Sequence, residues 1–112
     1  LQTANKEIVV VAQIEHVDAV DNAAAIIATP GIDAVLVGPN DLAASMNHLG
    51  NTEHVEVLAA IEKVRQACEV AGKPARAGDY GRQGFSLIAC GVDSILLGRA
   101  AAELAKGLSH LR

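Results

Sequence analysis

Two segments of this chain, EIVVVAQIE at residues 7–15 and IDAVLVGP at 32–39, are apolar at almost every position instead of every second one. A strand with one wet face alternates. A strand whose apolar run is continuous has both faces covered, as when helices pack on a parallel sheet. VDSILLG at 92–98 reads the same way, and KPARAG at 73–78 is a weaker fourth run. Between these runs the apolar spacing becomes helical. HVDAVDNAAAIIAT, 16–29, sets Val17, Val20, Ala24 and Ile27 on one stripe before Pro30-Gly31 stops it. NTEHVEVLAAIEKVRQACEVAGK, 51–73, repeats Val57, Ile61, Val64 and Cys68. Asn51 or Thr52 can cap its start, Glu53 and Glu56 suit the positive end of its dipole, and Gly72 marks its end. GRQGFSLIACG (81–91) and RAAAELAKGLSHL (99–111) read as two further helices.

The order is therefore β-α-β-loop-α-β-α-β-α. Strands separated by helices imply right-handed crossovers and a parallel sheet. Four βα units within 1–112 form a single unit, either a small doubly wound sheet or half of a (β/α)₈ barrel. No strand is followed by G-x-G-x-x-G, the dinucleotide fingerprint. Gly78, Gly81 and Gly84 come near it, but Asp79 would set a negative charge beside any phosphate.

Composition narrows the partners. The formal net charge is −4 with no Lys/Arg cluster, and aromatic residues make up 2%, which argues against a nucleic-acid partner. No apolar run approaches the roughly 20 residues of a membrane helix, so no membrane partner is expected. Leu-Gln-Thr-Ala-Asn-Lys does not read as a signal peptide. Cys68 and Cys90 are expected as two separate reduced thiols in a cytoplasmic protein.

In parallel α/β folds chemistry gathers at the carboxyl ends of the strands. The first run ends in Glu15, and the second passes through Gly38-Pro39-Asn40 to Asp41. Parallel neighbours lie about 4.8 Å apart, and two carboxylates so placed repel unless a cation lies between them. With no Cys or His in either motif, oxygen donors favour a hard ion, Mg²⁺ or Mn²⁺, with open positions for a substrate. Gly38 lets a ligand approach the backbone, and Pro39 turns the chain out of the sheet. The N–H groups of Asn40 and Asp41 can then meet a carboxylate. Gln13 shares Glu15's face of the strand and can donate to a bound oxygen. The alternatives are structural: Glu15 capping the helix near His16, Asp41 capping the turn after Pro39, and Gln13 satisfying its neighbours.

The stretch VVVAQIEHVDAVDNAAAIIATPGIDAVLVGPNDLAASMNHLGN, with HVEVLAAIEKV, AGKPA and GVDSILLGRAA, closely resembles the HpcH/HpaI aldolase family. Its members include 4-hydroxy-2-oxoheptanedioate and 2-dehydro-3-deoxyglucarate aldolases. The resemblance implies a (β/α)₈ barrel of which this chain is the C-terminal half, strands five to eight. It implies a class II aldolase that reversibly cleaves a 4-hydroxy-2-oxo acid to pyruvate and an aldehyde. A divalent metal, Mg²⁺ or Mn²⁺ with Co²⁺ a third candidate, would act as Lewis acid and stabilise the enolate left by C3–C4 cleavage. By motif, Glu15 and Asp41 become the metal ligands. Gln13 contacts the oxo-acid end, and Gly38, Pro39, Asn40 and Asp41 form the carboxylate-binding turn. The family's general-base histidine and its arginine fall in the other half, so none of His16, His48, His54 and His110 is expected to be the base. His16 should begin the helix or face away, and His48 and His54 flank a loop where family members make subunit contacts. A homo-oligomer is implied, with the last helix packing on a neighbour.

Three other readings stand beside it. One is a CoA-ester lyase of citrate-lyase-β type sharing the carboxylates. Another is a non-catalytic metal- or oxo-acid-binding half-barrel. The third is a phosphate-binding half-barrel using Gly78 and LLGRAA.

Overall fold

A computed structural model describes residues 3–77 and 91–108. Three strands, β1 (Val11–Ile14), β2 (Ala34–Val37) and β3 (Ala75–Ala77), form one parallel sheet in the order β1-β2-β3. Val11 pairs with Ala34 and Ile14 with Val37, while Val35 pairs with Ala75 and Val37 with Ala77. A short helix, α1 (Ala4–Glu7), precedes the sheet.

The crossover from β1 to β2 is expected as one helix and is two, α2 (Val17–Asp21) and α3 (Ala23–Ala28), meeting at Asn22. Asn22 sits at φ −97°, ψ 9°, and its side-chain amide donates to the Asp18 carbonyl at 2.8 Å. An Asn that bonds its own backbone competes with the helical ladder. The break shifts the buried stripe to Val20, Ala23 and Ile27 and leaves Ala24 exposed.

After β2 comes α4 (Pro39–Ser45), with Pro39 in its first turn where a missing N–H costs nothing. Helix α5 (Val55–Val70) buries Val57, Ala60, Ile61, Val64 and Cys68, and it packs on α2, α3, α4, β2 and β3. It is shorter than its apolar pattern suggests. Neither Asn51 nor Thr52 caps it; His54 does, its Nδ1 accepting from the Glu56 N–H at 3.3 Å. Its far end closes as expected at Gly72. Gly72 N–H donates to the Glu69 carbonyl and Lys73 N–H to the Cys68 carbonyl, with Gly72 at φ +63°. That pair of bonds is a Schellman motif, which needs a left-handed residue at Gly72. Lys73 continues inward: its Nζ donates to the Ile27 carbonyl at 2.5 Å and to that of Thr29 at 3.4 Å. Burial pushes the Cys68 thiol above its ordinary pKa, as fits a core residue.

One register consequence governs the site. Ile14, Val35 and Val37 project to the face that the helices cover, where they join Val20, Ile27, Leu42, Val57 and Ile61 in the core. Val11 and Gln13 project to the opposite face, beside Leu36, and are exposed. The continuous apolar runs therefore have only one face sealed by the described residues. Both-face burial holds best for β2, the middle strand, where Ala34, Val35 and Val37 are all buried.

The fourth expected strand is not one. Residues 93–98 form the start of a helix, α6 (Asp93–Gly107), with Val92 as its extended N-cap, and α6 also takes in most of the helix expected at 99–111. Asp93 stands in its first turn and Lys106 in its last, both favoured by the dipole. A strand without a neighbour leaves its N–H and C=O groups unpaired, whereas a helix satisfies its own. No residue of α6 is buried, and Leu97 is 72% exposed. The strand expected at 92–98 is thus corrected to a helix, with three parallel strands among the described residues. The helix expected at 81–91 falls outside them, but for Gly91.

Candidate functional site

Glu15 follows the last residue of β1, and Gly38 follows the last residue of β2. The Gly38 N–H donates to the Ile14 carbonyl at 3.1 Å, extending the ladder by one bond and bringing the two strand ends together. A Cβ built on Gly38 would lie 2.8 Å from Glu15 Oε2, 3.0 Å from Glu15 Cβ and 3.4 Å from Gln13 Nε2. The glycine is thus required by close approach: a half-buried carboxylate occupies the space a side chain would take. Gln13 and Glu15, two residues apart, share a face as expected, and Gln13 Nε2 donates to Glu15 Oε2.

Asp41 lies exposed in the first turn of α4, on the chain leaving the same end of the sheet. Because β1 and β2 are parallel neighbours, Glu15 and Asp41 belong to adjacent strand ends on one rim. Neither carboxylate serves the structural purposes that could have explained it. His16 caps α2, its Nδ1 accepting from the Asp18 N–H at 3.2 Å. Gly38 occupies the cap position of α4, and Asp41 lies within the helix with no side-chain capping bond there. Early in a helix the Asn40 and Asp41 N–H groups have no intrahelical acceptor, so they are available to an anion.

Ser45, at the end of α4, is a positioning residue the motif contained without revealing its use. Its Oγ donates to the Leu42 carbonyl at 2.8 Å and accepts from the Val17 N–H at 3.1 Å. It therefore pins the helix carrying Asp41 to the chain just after Glu15. Only the distance in space, across 28 positions, makes this visible.

A second polar group lies further along. His48 Nε2 is 2.7 Å from Glu56 Oε2, and the His48 and His54 rings stack with centroids 3.6 Å apart at 18°. The hydrogen bond from His48 holds the Glu56 carboxyl below its ordinary pKa of 4.5, the largest of its causes. For the phosphate reading, LLGRAA lies within α6 instead of at a strand end, and Gly78 is outside the described residues. No helix among the described residues is long and apolar enough to cross a membrane.

The sequence profile described as HpcH/HpaI aldolase/citrate lyase matches residues 1–100. The hydroxypyruvate/pyruvate aldolase of Chromohalobacter salexigens is 44% identical over 108 residues, covering 89% of this chain and 42% of that protein. The 5-keto-4-deoxy-D-glucarate aldolase of Enterobacter sp. strain 638 is 40% identical over 110 residues, covering 91% of this chain and 43% of that protein. Among solved structures, an HpcH/HpaI aldolase/citrate lyase family protein from Burkholderia cenocepacia J2315 superposes with a TM-score of 0.86 at 36% identity. That match covers 96% of this chain and 45% of the other. The chain thus spans less than half the length of these relatives.

Proposed function

The chain belongs to the HpcH/HpaI aldolase/citrate lyase family, and on that premise we propose that it is the C-terminal half of a (β/α)₈ barrel class II aldolase. The reaction is reversible cleavage of a 4-hydroxy-2-oxo acid to pyruvate and an aldehyde. The observation that carries this reading is the close seat of Glu15 against Gly38, one strand from Asp41, at the carboxyl rim of a parallel sheet. Among the described residues the helices cover one face of the sheet, which supports the barrel over a doubly wound sheet. In a barrel the helices lie outside, and the face bearing Gln13 and Leu36 turns inward.

The residues suit a hard divalent ion. Glu15 and Asp41 offer only oxygen, the donor that Mg²⁺ and Mn²⁺ take. Gln13, already bonded to Glu15, would hold that carboxylate's orientation, the usual task of a partner behind a ligand. When bound, the ion supplies a Lewis acid beside the 2-oxo group of a keto acid. Gly38 and Pro39 shape the turn, and the N–H groups of Asn40 and Asp41 bind the substrate carboxylate. The proton-transferring base and a charge-stabilising arginine come from the other half of the barrel. The active protein is a cytoplasmic homo-oligomer. A CoA-ester lyase would share the carboxylates; relatives named as aldolases at 40% and 44% identity favour the aldolase.

The test is Mn²⁺ binding by the chain, followed by electron paramagnetic resonance with and without pyruvate. Binding tightened by pyruvate, and lost in both Glu15→Gln and Asp41→Asn, supports the reading. Affinity retained in both variants, or no Mn²⁺ bound by the parent chain, overturns it. Chelator-sensitive release of pyruvate from a 4-hydroxy-2-oxo acid then separates an aldolase from a binding fragment.

A further inference from the structure

The geometry points to a second metal site, formed by His48, His54 and Glu56 and suited to a borderline divalent ion such as Zn²⁺. It differs from the carboxylates at the strand ends in chemistry, two imidazoles and one carboxylate in place of oxygen donors alone. His48 lies in the connection after α4, His54 caps α5, and Glu56 is in the first turn of α5. One donor atom from each lies within 4.8 Å of the others, the one such group among the described residues.

The separations suit a shared ion. Donors bound at about 2.0–2.2 Å to one tetrahedral ion lie roughly 3.5 Å from one another. His48 Nε2 and His54 Nδ1 are 2.7 and 4.0 Å from the same Glu56 Oε2, values on either side of that spacing. The rings are stacked, 3.6 Å apart at 18°, so both already lie beside Glu56, and one rotates out of the stack to bring its in-plane lone pair onto the ion. Much of the ordering that a metal demands is thereby already in place.

Protonation is arranged correctly for one donor and easily corrected for the other. The Glu56 N–H donates to His54 Nδ1, which leaves the lone pair of neutral His54 on the nitrogen nearest Glu56. That bond is long, at 3.3 Å, so an ion can take its place. His48 Nε2 now shares a proton with Glu56 across 2.7 Å. The ion would replace that proton, with His48 shifting to its other tautomer. The helix start opposes a cation through its dipole, and the Glu56 charge offsets this. Two imidazoles and a carboxylate select Zn²⁺-like ions over Mg²⁺, the reverse of an all-oxygen pair. Bound there, the ion would tie residues 48–54 to the start of α5.

Calorimetric titration of the metal-free chain with Zn²⁺ alone, under reducing conditions, tests this. His54→Asn keeps a capping oxygen while removing the imidazole. We expect one Zn²⁺, weakened at least about tenfold by His54→Asn and by His48→Gln, with far-ultraviolet circular dichroism unchanged. The double variant Glu15→Gln/Asp41→Asn should keep its Zn²⁺ affinity while losing Mn²⁺, so failure of either site is distinguishable. If a histidine variant loses helix, the ring resonances of the parent chain decide: Zn²⁺ must shift those of His48 and His54 and spare His16. Equal Zn²⁺ affinity in the parent and both histidine variants, loss only in the Glu15/Asp41 double variant, ring shifts confined to other histidines, or no Zn²⁺ bound would each overturn the proposal.

Discussion

Glu15 and Glu56 are both carboxylates near the start of a helix, and each accepts a hydrogen bond from a neighbouring side chain. They are held in different ways. Glu15 is half-buried against the backbone of the adjacent strand, and its partner is Gln13, an amide that does not titrate. Glu56 is exposed, and its partner is the imidazole of His48, a ring that can itself ligate a metal. The first carboxylate is oriented by sheet geometry and the second by a proton that other cations can replace. The difference teaches that a charged group's partner, more than its own chemistry, sets what it can bind.

The contrast can be broken at several points. The largest effect is expected from Glu15→Gln, which should weaken Mn²⁺ binding by more than about 100-fold, since even partners behind a ligand are worth 10–100-fold. Glu56→Gln should leave Mn²⁺ binding unchanged, and parallel Mn²⁺ titrations check both. Next, Gly38→Ala tests whether the strand ends are as close as described. A methyl 2.8 Å from Glu15 Oε2 must displace the carboxylate, and the expected cost is about 1–3 kcal/mol in thermal or denaturant unfolding. Weaker Mn²⁺ binding should accompany it. Smaller again is Ser45→Ala. It removes the acceptor of the Val17 N–H, at an expected cost of about 1 kcal/mol.

The smallest effects are those of pH. The Glu56 carboxyl lies below its ordinary value of 4.5 in the folded chain. A depressed carboxyl stabilises the fold above its unfolded pKa and loses that contribution as pH falls through the folded one. Denaturant midpoints should therefore drop below about pH 4.5, and the drop should shrink in Glu56→Gln. Glu62 on α5 follows the same sign, held down to about 2 mainly by the Arg65 guanidinium and also by Gln66. The pair lies on the helix surface, so its contribution is small and screened by salt.

Much of this was legible in the residues. Val57, Ile61, Val64 and Cys68 recur at helical spacing and are all buried. The ends of β1 and β2 were marked by Glu15 and by Gly38-Pro39, because a change from continuous apolar to acidic is a boundary at any level of description. Two things were not legible. A continuous apolar run cannot say where its neighbours come from. IVVV at 8–11 and VDSILLG at 92–98 read as buried, yet Ile8, Val9, Ile95 and Leu97 are exposed among the described residues. Likewise the roles of Ser45, His48 and His54 depend on contacts across a turn or between elements, which periodicity does not encode.

The lysine at the close of α5 has one further consequence. Lys73 reaches the final carbonyls of α3 from the turn that precedes β3, so it lies at the rim opposite Glu15 and Asp41. The ammonium there meets the negative pole of α3 from the turn that closes α5. A neutral residue at position 73 would therefore loosen this lower rim while leaving the seat of Glu15 against Gly38 at the opposite end in place.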